Sequence, residues 1–149
     1  MLEVGTLVKN FSLKDSEGQV RSLSEFYPKP VVLYFYPKDD TPGCTKQACA
    51  FRDLYEDFTS KDITVIGISK DTPESHQKFK EKYQLPFILL SDDQALCEYF
   101  GVWVEKSMYG KTYMGIQRAT FILDQEGIIT HVFEKASPDN NAKDILEVL

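Results

Sequence analysis

Cysteine offers the most chemistry in this chain, at Cys44, Cys49 and Cys97. Three thiols in 149 residues are too few, and odd in number, for the disulfide framework of a small secreted protein, so reduced or catalytic thiols are the better reading. Cys44 has the most informative setting, in PKDDTPGCTKQACAFRD directly after the run VVLYFY. With Thr41 as N-cap, Pro42, Gly43 and Cys44 take the first three positions of a helix, where the missing proline amide costs little. The sulfur then lies beside unpaired backbone amides and the positive end of the helix dipole, a setting that in general favours a thiolate.

The same helix separates the first two thiols. At about 100° per residue, Cys44, Ala48, Phe51, Tyr55 and Phe58 share one apolar stripe, while Cys49 falls on another side with Thr45, Arg52 and Glu56. Residues five apart in an intact helix have Cα atoms on the order of 8 to 9 Å apart, beyond the ~7 Å that a disulfide can bridge. A Cys44 to Cys49 disulfide therefore requires the first turns to unwind. These features alone leave two readings of Cys44 open: a small buried hydrophobe, or a redox-active nucleophile.

The elements that must hold these residues alternate. Val31 to Tyr36 and Ile63 to Ser69 read as buried strands, followed by candidates at Phe87 to Leu90, Ala119 to Leu123 and Ile128 to Phe133. The last two are joined by Asp124-Gln125-Glu126-Gly127, a hairpin turn; Phe11 to Leu13 and Val20 to Leu23 flank Asp15-Ser16-Glu17-Gly18 and form a smaller, N-terminal hairpin. Helices are predicted at about 42 to 59, 73 to 84, 93 to 100 and 138 to 149, with Pro42, Pro73 and Pro138 near their starts. The order implies an α/β fold, a mixed central sheet flanked by helices, in a single domain over 1–149. Cys44 then sits where a core strand hands over to a helix, the edge at which such sheets bind ligands.

Composition narrows the function classes. With 42% apolar and 27% charged residues the chain can fill one core, and a net charge of −6 disfavours nucleic acid and anionic lipid as partners. An N-terminus without an apolar signal core, and no membrane-length stretch, point to a cytoplasmic protein. His76 and His131 are far apart and neither is spaced with a cysteine pair for zinc or iron, so no metal or cofactor is expected. Cys97 shares a helix face with Leu96 and Phe100 and reads as packing; Lys38, Asp39 and Asp40 read as a solvated loop. Tyr34, Phe35, Tyr36 and Trp103 suit the core or a pocket wall. Arg118, just before a buried strand, suits an ion pair at the strand end.

At YPKDDTPGCTKQACAFRD the sequence resembles the peroxiredoxin family, in the bacterioferritin comigratory protein or peroxiredoxin Q subgroup. The pattern is Pro37, Thr41 and Cys44, and the likeness continues through GVWVEKSMYGKTYMGIQRATFILD, which contains Arg118. The resemblance implies a thioredoxin-like fold with an N-terminal β-hairpin extension. It implies Cys44 as the peroxidatic nucleophile, Thr41 as hydroxyl donor, Pro42 as shield and Arg118 as electrostatic partner, with Pro37, Gly43 and Tyr36 at the substrate pocket. Cys49 matches the resolving cysteine of members with four intervening residues; others carry it on the next helix, here PESHQKFKEKY, which has none. A hydroperoxide as substrate and thioredoxin as reductant follow from the same likeness, and resolution by a thiol of the same chain makes a monomer sufficient. The alternatives are a thiol-disulfide oxidoreductase, whose usual C-x-x-C is absent, and a redox sensor or chaperone using the same disulfide.

Overall fold

The structure, a computed structural model, describes residues 1–149. Its centre is a seven-stranded mixed sheet in the order β2-β1-β5-β4-β3-β8-β9. These strands are β1 (Ser12–Asp15), β2 (Val20–Ser22), β3 (Val31–Phe35), β4 (Thr64–Ser69), β5 (Ile88–Ser91), β8 (Ala119–Leu123) and β9 (Ile129–Phe133). β3, β4 and β5 are parallel, while β8 runs antiparallel to β3, and β1 to β5. The helices are α1 (Pro42–Asp53), α2 (Tyr55–Ser60), α3 (Pro73–Tyr83), α4 (Ala95–Phe100) and α5 (Asn141–Val148). None is long and apolar enough to cross a membrane.

Strand β3 explains the division of the core. Successive side chains point to opposite faces, so Val31, Leu33 and Phe35 pack on one side, with Phe100, Phe121 and Cys97. Val32, Tyr34 and the following Tyr36 pack on the other, with Cys44, Phe51, Phe58, Phe79 and Ile145. Burial on both faces is why this strand reads as an unbroken apolar run rather than an alternation. Each deeply buried Phe or Leu contributes about 1.5 to 3 kcal/mol, and both faces draw on the one strand.

Both predicted hairpins are present. Asp15 Oδ1 accepts the amides of Glu17 and Gln19, and Asp124 Oδ1 those of Glu126 and Ile128, so an aspartate organises each turn. Two predictions need correction, and one element is absent from the sequence reading. The helix expected over 42 to 59 breaks at Leu54, whose backbone (φ −102°, ψ 10°) leaves the helical region and divides it into α1 and α2. The last helix begins at Asn141, and Pro138 lies in the preceding turn, packed over the start of α1. A two-stranded antiparallel hairpin, β6 (Trp103–Met108) and β7 (Lys111–Ile116), went unpredicted. Tyr109 (φ 53°) and Gly110 (φ 78°) make its two-residue turn, the positive-φ pair that tight hairpins need.

Candidate active site

α1 begins at Pro42 with Thr41 extended (φ −99°, ψ 156°) at its N-cap, as the sequence predicts. Cys44, third in the helix, is 2% exposed and packs in the cluster with Ala48 and Phe51; Cys49 is half-buried, and all three thiols are free. No hydrogen bond within the chain takes the Gly43 or Cys44 amide. The Thr41 hydroxyl does not cap the helix. It donates to the Lys38 carbonyl at 2.9 Å, tightening the turn before Pro42.

Arg118, immediately before β8, reaches across from the neighbouring strand of the sheet. Its Nη2 donates to Cys44 Sγ at 3.4 Å and its Nη1 to Gln47 Oε1 at 2.8 Å. No carboxylate pairs with it, so the ion pair expected from its strand-end position is not made. Gly43 makes room for this approach: a Cβ there would lie 3.0 Å from Arg118 Nη2 and 3.7 Å from Pro138 Cγ. The cation stands against sulfur with no competing anion, where it can stabilise negative charge on sulfur or on a departing oxygen.

Behind the arginine lies a relay absent from the sequence reading. Gln47 Nε2 donates to Asn141 Oδ1 at 3.1 Å, and the same oxygen accepts the Thr120 hydroxyl at 2.8 Å. Gln47, Thr120 and Asn141 are each at most 1% exposed, so α5 and β8 hold the arginine through a buried amide pair. A signal existed, since Gln47 is three residues after Cys44 and interrupts the apolar stripe one turn along.

The solvated loop expected at Asp39 needs correction, and the correction involves His76, for which a packing role was open. Asp39 is 8% exposed, not solvated, and His76 is fully buried. Asp39 Oδ2 meets His76 Nδ1 at 2.7 Å and accepts the Ser75 hydroxyl at 2.8 Å, while Oδ1 accepts the Tyr36 hydroxyl at 2.5 Å. Tyr36 is thus a buried support under the site loop, its hydroxyl turned to Asp39. Asp40 is fixed as well, by Lys82 Nζ at 2.8 Å and the Tyr83 hydroxyl at 2.7 Å. Pro37 is half-buried, and Pro42 stands exposed at the first helical position.

Cys97 lies on the opposite face of the sheet from Cys44, fully buried. Burial, and then the adjacent Asp92, push its thiol well above the usual range. It is the packing residue the sequence suggests. The largest cavity, about 590 Å³, is also on that face, lined by Phe11, Leu13, Leu96 and Tyr99, and none of the site residues borders it. A cavity of about 340 Å³ does reach Arg118, with Val104, Lys106, Gln117 and Lys135 in its wall. Burial first, and then Arg118, lower the Lys106 ammonium below its ordinary range.

The model of the AhpC/TSA family matches residues 4–132. The chain belongs to that family. Peroxiredoxin Bcp of Bacillus subtilis is 46% identical over 149 residues, covering 99% of this chain and 95% of that one. Peroxiredoxin Bcp of Escherichia coli K12 is also 46% identical, covering 99% and 96%. Among solved structures, PrxQ of Xylella fastidiosa, in a cysteine-to-serine variant, aligns with a TM-score of 0.94 at 33% identity over 99% and 95% of the two chains. The Xanthomonas campestris bacterioferritin comigratory protein, described for its alkyl peroxide reduction activity, aligns with a TM-score of 0.87 at 37% identity over 93% and 88%. The expected thioredoxin-like fold and peroxiredoxin membership are therefore borne out, and the chain is a thiol peroxidase. A hydroperoxide is its substrate and a thiol its reductant.

Proposed function

We propose that Cys44 is the peroxidatic nucleophile and Cys49 the resolving thiol of this peroxidase. The contact of Arg118 Nη2 with Cys44 Sγ at 3.4 Å carries the reading, because it places a cation where the reaction develops negative charge. The Cys44 thiolate attacks one peroxide oxygen; a sulfur–oxygen bond forms, the oxygen–oxygen bond breaks, and the departing oxygen leaves as an alkoxide that takes up a proton. Arg118 and the free Gly43 and Cys44 amides stabilise that charge. The Thr41 hydroxyl proton is committed to Lys38, which makes Thr41 an acceptor toward the hydroperoxide O–H rather than the donor the family likeness implies. Pro42 shields the sulfur. Pro37 and Gly43 shape the approach, and Tyr36 supports it from below.

Cys44 sulfenic acid then condenses with the Cys49 thiol, forming the disulfide and releasing water, which forestalls oxidation to sulfinic acid. A dithiol protein of the thioredoxin type reduces the disulfide by exchange. Resolution within one chain makes a monomer sufficient, and three cysteines, too few and odd in number for a secreted disulfide framework, suit a reducing cytoplasm. Both hydrogen peroxide and organic hydroperoxides fit this chemistry. In the test, reduced protein is mixed with one equivalent of hydrogen peroxide and its disulfides are mapped by mass. Cys44→Ser abolishes peroxide consumption, and Cys49→Ser leaves the first oxidation intact but stops recycling. Equal loss of the first oxidation in both variants overturns the assignment.

A further inference from the structure

Unwinding α1 to join Cys44 with Cys49 raises the question of what stays fixed upstream. Two consecutive loop residues, Asp39 and Asp40, tie the segment before α1 to α3, and the ties differ in kind. Asp40 is exposed, and its pair with Lys82 lies in water, where such pairs hold weakly. Asp39 is buried, and each carboxylate oxygen is occupied: Oδ1 by Tyr36, Oδ2 by Ser75 and His76. Its amide donates to Asp71 Oδ2 at 2.8 Å, an oxygen that also accepts the Ser69 hydroxyl at 2.7 Å. The far nitrogen of His76 donates to the Leu90 carbonyl at 3.1 Å, which seats the ring between the loop and β5.

Asp39, Asp71 and His76 offer ligand atoms within 4.8 Å of one another, the spacing of a cation site. Hydrogen bonds already occupy those atoms, so the cluster's chemistry is that of a closed network. A buried polar network with every member satisfied is rigid and costly to open, because removing one partner strands the others.

We propose that His76 is a positioning residue that anchors the loop through Asp39, so that α1 unwinds only beyond Thr41 and rewinds onto a fixed start. The inference rests on Cys44 and Cys49 being the redox pair. Its consequence is asymmetric. Loosening the anchor lets the Pro37 to Thr41 turn drift, which misplaces the substrate contacts and slows the first oxidation. It does not oppose unwinding, so disulfide formation is not slowed.

The test is single-turnover stopped flow of the reduced, full-length protein with hydrogen peroxide, resolving the oxidation phase from the disulfide phase. His76→Gln keeps a donor for Leu90 but loses Asp39, and the expected result is an oxidation phase slower by about tenfold or more with an undiminished disulfide phase. His76→Asn keeps a donor near the Nδ1 position and recovers most of the oxidation rate. Ser75→Ala removes one bond to the same carboxylate oxygen and shifts the ratio of the two rates in the same direction by less, which keeps the test open where His76→Gln folds poorly. Phe79→Leu, buried nearby on α3 without a bond to the loop, lowers stability and leaves the ratio unchanged. Equal slowing of both phases in His76→Gln or Ser75→Ala, no change in either, or the same ratio shift in Phe79→Leu overturns the anchor. A wild-type oxidation phase that persists in Cys44→Ser overturns the underlying assignment instead.

Discussion

At the scale of single residues, the arrangement around Cys44 depends on an arginine with no acidic partner and a glycine with no side chain to obstruct it. Arg118→Met keeps much of the bulk and removes the cation; we expect kcat/KM for hydrogen peroxide to fall about 10² to 10³-fold, the scale of one lost charge-stabilising donor. Gly43→Ala places a methyl 3.0 Å from Arg118 Nη2, and a loss of about tenfold with little change in Tm is expected from steady-state assays and thermal unfolding. Cys97 makes a separate prediction in pH. Its folded pKa is raised, so above pH ~8.5 the unfolded chain releases a proton that the folded chain keeps, and stability falls as pH rises. In urea titrations the advantage of wild type over Cys97→Ala narrows by about 1.4 kcal/mol per pH unit above that point. Cys44, Thr41 and Pro42 were legible because helix-start chemistry is local and has a spacing. Gln47, Asn141 and His76 were not, because hydrogen bonds spanning 94 and 37 residues leave no local trace.

At the scale of elements, α1 has two tasks in conflict: its intact first turns set Cys44 beside Arg118, and those turns keep Cys49 out of reach. Oxidation with one equivalent of peroxide should therefore reduce helical circular dichroism and raise amide exchange within 42 to 49, with α3 and α5 unchanged. A disulfide form retaining full protection there contradicts the geometry. Thr45→Ala raises helix preference by about 0.5 kcal/mol, and the expected outcome is disulfide formation about twofold slower and more sulfinic acid at high peroxide, read by mass. Most elements could be foreseen, since β3 and β4 are apolar runs and the prolines punctuate α1 and α3. The β6–β7 hairpin escaped because its strands are largely exposed, so no buried face marks their alternation. The break at Leu54 escaped because no proline or glycine announces it.

At the scale of the molecule, the proposed resolution inside one chain predicts that specific activity stays constant over a roughly hundredfold dilution, whereas a pair requiring two chains loses activity as it dissociates. The sheet order explains how one short strand supports this chemistry: β3 ends at the loop that carries Thr41, and its neighbour β8 follows directly on Arg118. The position of Cys97 has a further effect. A chain with three thiols can close in three ways, and two of those closures would be dead ends that trap the nucleophile or its partner. Strands packed on both sides stand between Cys97 and the other two, so if Cys44 and Cys49 cycle as proposed, the third thiol has no route into the exchange. On the proposed pairing, the sheet acts as a proofreader that leaves one product without any enzyme to correct mistakes.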